Sequence, residues 1–81
     1  MKRILDGEKA NITGSQIRKL RKLAGYSQRQ LSEKLELEAV YTCRGSVSRI
    51  ESGVRAVTDI ELAAIAKILG VSVDKLFDVE S

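Results

Sequence analysis

One local pattern that starts an α-helix occurs four times in this chain, and it constrains the fold more than any other feature. A Ser or Thr stands just before each helix, and a Gln or Glu three positions later can bond back to the same turn. Four places carry the start, and Lys replaces the acidic member in the last: Thr13 with Gln16, Ser27 with Gln30, Thr58 with Glu61, and Ser72 with Lys75. Repeated helix starts of this kind predict a helical protein.

Glycines and apolar spacing predict where these helices end. Gly25 and Gly70 follow apolar runs, as expected of the left-handed residue that ends a helix. The predicted helices cover about 14–24, 28–37, 44–52, 59–69 and 73–78. The third is the least marked, because Thr42 or Cys43 must cap it and Gly45 lies in its first turn. No segment alternates for long enough to predict a strand. We therefore predict an all-α fold, a compact bundle of about five helices.

Helical periodicity also predicts the core and the domain limits. The predicted core residues are Ile17, Leu20, Leu23, Leu31, Leu35, Val47, Ile50, Leu62, Ile65, Leu69, Leu76 and Phe77. Residues 1–11 lack this periodicity, so we expect a flexible N-terminal arm before a domain at 12–78 and a short tail at 79–81. The whole chain of 81 residues is long enough for one modest core.

Composition excludes several classes of protein. No apolar run approaches the ~20 residues of a membrane span, so we expect no membrane association. The chain has one Cys and no His, which argues against an internal disulfide, a zinc site and the commonest general base. We expect no metal, no cofactor and no enzymatic activity, and a location in the reducing cytoplasm.

Charge is unevenly distributed along the chain. Residues 1–57 contain 12 Lys and Arg against 6 Asp and Glu, whereas residues 58–81 contain 2 against 5. A basic first part and an acidic end suggest a polyanion partner on one face. Basic residues that only keep amphipathic helices soluble are the simpler explanation of the same pattern.

Four motifs in order carry a resemblance to a known family. They are Ile17-Arg18-Lys19-Leu20-Arg21, Ser27-Gln28-Arg29-Gln30-Leu31, Ser48-Arg49-Ile50-Glu51-Ser52-Gly53 and Leu69-Gly70-Val71-Ser72. In this sequence and spacing the segment from Ile12 to Phe77 resembles the helix-turn-helix domains of the phage Cro and repressor type, also called Xre-like. The resemblance implies a five-helix bundle whose third helix enters the DNA major groove.

The resemblance implies a role for each matched residue. Base contacts are expected from the recognition helix, at Arg44, Gly45, Ser48 and Arg49; a bidentate contact from Arg44 to guanine would give ~1–3 kcal/mol of discrimination. Phosphate contacts are expected from Gln28, Arg29, Ser46, the backbone N–H groups of Gly53 and Val54, and Arg55. A structural ion pair is expected between Arg21 and Glu51. The alternative for the arginines is a plain solvent-facing charge.

The link between the second and third helices departs from the family pattern. Ser27 and Ser48 are 21 positions apart, about five more than the commonest pattern has. The glycine of the usual tight turn is absent. We expect the second helix to run on by up to one turn and Leu37, Val40 and Tyr41 to pack back on the core.

The sequence thus predicts a DNA-binding transcriptional regulator of a bacterium or phage. We expect a repressor that binds a palindromic operator as a homodimer, through an interface at Val73, Leu76, Phe77 and Val79. An antitoxin-like or adaptor module that binds protein with the same fold is the alternative. A thiol at position 43, beside Arg44 at a helix N-terminus, should have a lowered pKa, although an inert small residue is the simpler interpretation of Cys43.

Overall fold

A computed structural model describes residues 9–78 of the chain. Five α-helices follow one another: α1 Gly14–Leu23, α2 Gln28–Leu37, α3 Arg44–Ser52, α4 Asp59–Leu69 and α5 Val73–Leu76. These described residues contain no strand, and the predicted all-α fold is confirmed. The bounds of α2, α3 and α4 agree with the prediction, whereas α1 ends one residue and α5 two residues earlier. No helix in this part of the chain is long and apolar enough to cross a membrane.

Two of the predicted helix starts are complete capping boxes. At α2 the Gln30 N–H donates to Ser27 Oγ over 3.0 Å, and the Ser27 N–H donates to Gln30 Oε1 over 2.8 Å. At α4 the Thr58 and Glu61 pair makes the same two bonds, over 3.1 and 3.0 Å. Each box satisfies two N–H groups that the helix itself leaves without a partner. Ser72 is extended before α5 but makes no capping bond with its side chain.

The start of α1 differs from the prediction, because Asn11 rather than Thr13 supplies the cap. Thr13 has helical backbone angles and makes no capping bond with its side chain. Asn11 Oδ1 instead accepts from the N–H groups of Thr13 and Gly14, over 3.0 and 2.7 Å. Asn11 is buried, and the Ala10 N–H donates to the Gly53 carbonyl over 2.7 Å. The last two residues of the predicted arm, Ala10 and Asn11, are thus bonded to the domain, while residues 1–8 and 79–81 lie outside the described residues.

The core lies between α1, α2, α3 and α4, and α5 closes one end of it. Most of the predicted core residues are buried or half-buried; the fully buried ones are Ile17, Leu31, Leu35, Val47, Ile50, Ile65 and Leu76. The predicted burial of Leu23 and Phe77 is wrong, since both side chains are exposed. Leu23 is six residues after Ile17, which places it about 120° around α1 from the buried face. Phe77 follows the buried Leu76 directly and is rotated away from it.

The link between α2 and α3 turns sharply instead of extending α2. Ala39 is left-handed, with φ +62°, and so takes the conformation that glycine most often adopts at the end of a helix. Val40 is half-buried against the core, whereas Leu37 and Tyr41 are exposed, so the predicted burial holds for Val40 alone. The link ends at Thr42, which is buried and whose carbonyl accepts from Ser32 Oγ over 2.7 Å.

The left-handed Ala39 gives a stability prediction. A non-glycine residue costs ~1–2 kcal/mol in this conformation, and part of the gain from glycine is lost to its larger freedom in the unfolded chain. We expect Ala39→Gly to raise the free energy of unfolding by about 0.5–1 kcal/mol in urea titrations. Ala63→Gly, at an exposed position within α4, should instead lower it by about 1 kcal/mol. Equal losses in both variants would contradict the assignment of strain to Ala39.

Candidate nucleic-acid interface

The outward face of α3 combines arginines with small residues. Arg44, Ser48 and Arg49 are exposed and Gly45 is half-buried, while Val47 and Ile50 face the core. The Arg49 guanidinium lies over the first turn of α3, with Nη2 3.4 Å from Ser46 Oγ. Among residues 9–78 no acidic side chain forms an ion pair with Arg44 or Arg49. This face thus presents two uncompensated positive charges beside a backbone that little side-chain bulk covers.

The inner face of α3 is attached to α1 by the ion pair that the resemblance implies. Arg21 Nε donates to Glu51 Oε2 over 2.6 Å and Arg21 Nη2 donates to Glu51 Oε1 over 3.0 Å. Both side chains are buried, and the remaining Arg21 nitrogen donates to the Tyr26 carbonyl over 2.7 Å. Gln28 Nε2 adds a bond to Glu51 Oε1 over 3.1 Å. The start of α2 is thereby tied to the same carboxylate as α1.

The start of α2 borders a shallow polar cleft beside α3. The cleft has a volume of about 280 Å³ and is lined by Arg18, Arg21, Gln28, Ser48, Glu51 and Ser52. The N–H groups of Gln28 and Arg29 belong to the first turn, which the helix leaves without partners of its own, and the helix dipole is positive there. Arg29 is exposed and, within residues 9–78, pairs only with Glu33, over 3.4 Å; an exposed pair of this kind is weak. This corner can therefore hold an anion such as a phosphate.

The loop after α3 does not offer the groups that the resemblance assigns to phosphate binding. The N–H groups of Gly53 and Val54 donate to the carbonyls of Ile50 and Arg49, each over 3.0 Å, and Gly53 is left-handed with φ +86°. These bonds close the C-terminal end of α3, so the N–H groups of Gly53 and Val54 already have acceptors within the protein and do not favour the predicted phosphate contacts. Arg55 is engaged as well: Nη1 and Nη2 donate to Glu61 Oε1 and Oε2, each over 3.1 Å.

Asn11 holds the same end of α3, a role that the sequence did not reveal. Its Nδ2 donates to the carbonyls of Ile50 and Arg55, over 3.1 and 2.7 Å. Gly14 follows in α1, and a Cβ there would lie 2.1 Å from the Ile50 carbonyl oxygen, so only glycine fits. Asn is a strong capping residue, which is the signal for Asn11 in the sequence, but Thr13 with Gln16 matches the commoner capping-box pattern.

Both the sequence and the fold of this chain are similar to those of known proteins. The sequence model of the family HTH_3, described as helix-turn-helix, matches residues 17–76. The chain belongs to this helix-turn-helix family. It is also similar to a solved structure, the crystal structure of the DNA-binding domain of BldD, with a TM-score of 0.68 and 30% sequence identity over 89% of this chain and 97% of that one. No curated protein matches the chain. Together these findings support a DNA-binding helix-turn-helix protein.

In this helix-turn-helix protein one further buried carboxylate lies next to the interface. Glu61 accepts from Thr42 Oγ1 over 2.7 Å, from both terminal nitrogens of Arg55, and from the Thr58 N–H. Burial alone would raise the pKa of Glu61, but the hydrogen bonds from Arg55, Thr58 and Thr42 outweigh it and lower the pKa to about 2. The sequence identified Glu61 only as a capping residue.

Cys43 is the residue that precedes α3 in the helix-turn-helix unit. Its side chain is exposed and lies 3.4 Å from Ser46 Oγ. The hydrogen bond from Ser46, with smaller contributions from the N–H groups of the first turn and from Arg49, lowers the pKa of the Cys43 thiol. The predicted direction of the shift is confirmed.

The predicted dimer interface at the end of the helix-turn-helix domain needs a correction. Val73 and Phe77 are exposed, so both side chains are available to a partner. Leu76 is fully buried because it fills the end of the core, and it cannot contribute to an interface. Val79 lies outside the described residues.

The Glu61 carboxylate gives a pH prediction. Its folded pKa of about 2 lies below the ordinary value of 4.5, so its contribution is complete above pH 4.5 and is lost as the pH falls toward 2. The contribution is about 3 kcal/mol. We expect the difference in unfolding free energy between wild type and Glu61→Gln to shrink by this amount between pH 4.5 and 2 in urea titrations. Ala63→Gly, which changes no titrating group, should differ from wild type by a constant amount; parallel curves for Glu61→Gln would contradict the assignment.

Proposed function

We propose that this chain is a transcriptional regulator that binds double-stranded DNA sequence-specifically with α3 in the major groove. The exposed face of α3, with Arg44 and Arg49 beside Gly45, is the observation that carries the proposal. The family match and the likeness to a DNA-binding domain support it. Family and fold are typically non-enzymatic, and we propose no catalytic activity, metal or cofactor.

Base contacts come from the first two turns of α3. Arg44, Gly45, Ser48 and Arg49 share one face, because residues separated by four positions are neighbours on a helix. Arg44 can donate two hydrogen bonds to guanine, and Arg49 can reach a base or the adjoining phosphate. Gly45 allows the backbone of α3 to come close to the floor of the groove.

Phosphate contacts come from the start of α2 and from the first turn of α3. Gln28 borders the cleft beside α3, and Arg29 is held only by a weak, exposed pair with Glu33. Ser46 is a half-buried residue on the first turn of α3. We leave Gly53 and Val54 out of this set because their N–H groups donate to carbonyls at the end of α3, and Arg55 because Glu61 holds its guanidinium. Phosphate contacts fix the position of the protein on the duplex without selecting a sequence.

Repression by a homodimer on a palindromic operator completes the proposal. One domain offers few base contacts, and two domains on half-sites ~34 Å apart double them. The exposed Val73 and Phe77 provide the beginning of an apolar dimer surface. We place the protein in the cytoplasm of a bacterium, where it would occlude a promoter of the host or of a phage.

Selection from a random duplex library tests sequence recognition. Wild type should enrich a motif with two-fold symmetry. Arg44→Ala and Arg49→Ala should each weaken binding to that motif by about 1–3 kcal/mol and relax selection at particular positions, because base contacts are lost. Arg29→Ala should weaken binding to all duplexes by a similar factor and reduce the salt dependence of the affinity, since it removes a phosphate contact.

The outcome of the selection also separates the two classes of function. The absence of any enriched motif, with equally weak binding by wild type and the Arg44→Ala, Arg49→Ala double variant, would contradict the proposal. A protein-binding module of antitoxin or adaptor type would then be the function to pursue.

The dimer surface is tested by its two exposed apolar residues. We expect Val73→Ser combined with Phe77→Ser to shift the protein from dimer to monomer in sedimentation velocity. Affinity for the two-fold operator should fall about 10–100-fold, because each half-site then binds independently. Leu23→Ser, at an exposed position on α1, serves as control and should leave both measurements unchanged. The proposed dimer would be refuted if the wild-type protein were a monomer in sedimentation velocity and the double variant bound the operator as tightly as wild type.

A further inference from the structure

A single carboxylate contacts residues on both sides of the recognition helix. Thr42 lies two residues before the start of α3, and Arg55 lies three residues after its end. Glu61, in α4, accepts from Thr42 Oγ1 over 2.7 Å and from the two terminal nitrogens of Arg55, each over 3.1 Å. The two segments that enter and leave α3 are therefore fixed to the same point of the neighbouring helix.

The contacts at the two ends of α3 differ in number. The C-terminal half is also held by the Arg21 and Glu51 ion pair and by Asn11. The N-terminal end, from which Arg44 and Gly45 project, follows directly from Thr42. Thr42 is held by two bonds, its carbonyl to Ser32 and its hydroxyl to Glu61. Removal of the Glu61 charge would loosen the end of α3 that carries the base contacts.

The same ion pair determines what Arg55 can do. The Arg55 side chain is about one-third exposed, and it lies in the loop after α3, to which the family resemblance assigns a phosphate contact. Three of the five Arg55 N–H groups are used within the protein, two by Glu61 and one by the Ala56 carbonyl. The Glu61 carboxylate also compensates the positive charge of the guanidinium, which weakens its attraction to a phosphate. The Glu61 side chain is only 8% exposed, and the described residues give it four hydrogen bonds.

We propose that Glu61 is a positioning residue for sequence recognition: it holds α3 through Thr42 and Arg55 and keeps the Arg55 guanidinium away from DNA phosphate. Both effects raise specific binding relative to non-specific binding. The first keeps the base contacts in register, and the second withholds a contact that every sequence would provide equally. This inference rests on the proposed function of DNA binding.

Glu61→Gln therefore has a signature that general destabilisation lacks. Affinity for the selected operator should fall at least about ten-fold, since the base contacts lose their register. Affinity for a scrambled duplex should stay constant or rise, because Arg55 becomes free. The slope of log K against log salt for the scrambled duplex should steepen by about one, the effect of one added phosphate contact. A protein that was only partly unfolded would lose affinity for both duplexes alike.

The experiment measures binding to both duplexes by fluorescence anisotropy at several salt concentrations, under conditions where circular dichroism shows each variant folded. Asp59→Asn is the matched control, because Asp59 is an exposed acid in the same first turn of α4 and its change alters net charge equally. It should leave the ratio of operator to scrambled affinity within two-fold of wild type. Glu61→Gln combined with Arg55→Ala should lose the steeper slope.

Two variants of Thr42 test the other half of the contact. Thr42→Val keeps the shape but removes the hydroxyl that donates to Glu61, and should lower the affinity ratio several-fold. Thr42→Ser keeps the hydroxyl and should retain the ratio of wild type. Neither change frees Arg55, so the salt slope should stay that of wild type in both.

The results separate this inference from the proposed function. A wild-type preference for the operator together with an unchanged affinity ratio in folded Glu61→Gln would overturn the role of Glu61 alone. A parallel loss of both affinities in that variant would also overturn it. A wild-type protein with no preference for any duplex would overturn both the inference and the function on which it rests.

Discussion

The buried ion pair between Arg21 and Glu51 joins the first helix to the recognition helix, and the orientation of the outward face of α3 depends on it. Two buried charges are tolerated because the Tyr26 carbonyl and the Gln28 amide complete their hydrogen bonding. Loss of one partner of such a pair typically costs ~3–5 kcal/mol, a large part of the total stability of a small domain. Since the inner face of α3 carries this attachment, its outer face is free to carry residues chosen for a ligand.

Much of the fold could be predicted because helix starts are local. The capping boxes of α2 and α4 lie within four consecutive residues, so their bounds follow directly from the sequence. The start of α1 could not be predicted in the same way. Asn11 is selected as the cap by its contacts with carbonyls about 40 positions away, and no local pattern encodes them. The turn at Ala39 escaped prediction for a related reason, because its conformation is one that alanine rarely adopts.

In the candidate site, too, features set by local sequence could be predicted and features set by tertiary contacts could not. The exposed positions of Arg44, Ser48 and Arg49 follow from helical spacing once α3 is placed. The pairing of Arg55 does not follow from the sequence. Its partner Glu61 is recognisable locally as a capping residue, but the bonds that Glu61 accepts from Thr42 and from Arg55 arise from tertiary packing. A Glu in a capping position can thus have two functions, and only the fold distinguishes them. The family resemblance alone would have counted Arg55 as free for DNA.

The link between α2 and α3 has a consequence for how such domains diversify. Its exposed turn at Glu38 and Ala39 lies between the end of α2 and two anchored residues, Val40, which packs on the core, and Thr42, which is bonded to Ser32 and Glu61. Residues added or removed between the end of α2 and these anchors alter a solvated turn and leave the start of α3 in place. Domains with links of different length can therefore hold α3 in the same position, and sequence changes in the link need not alter the outward face of α3.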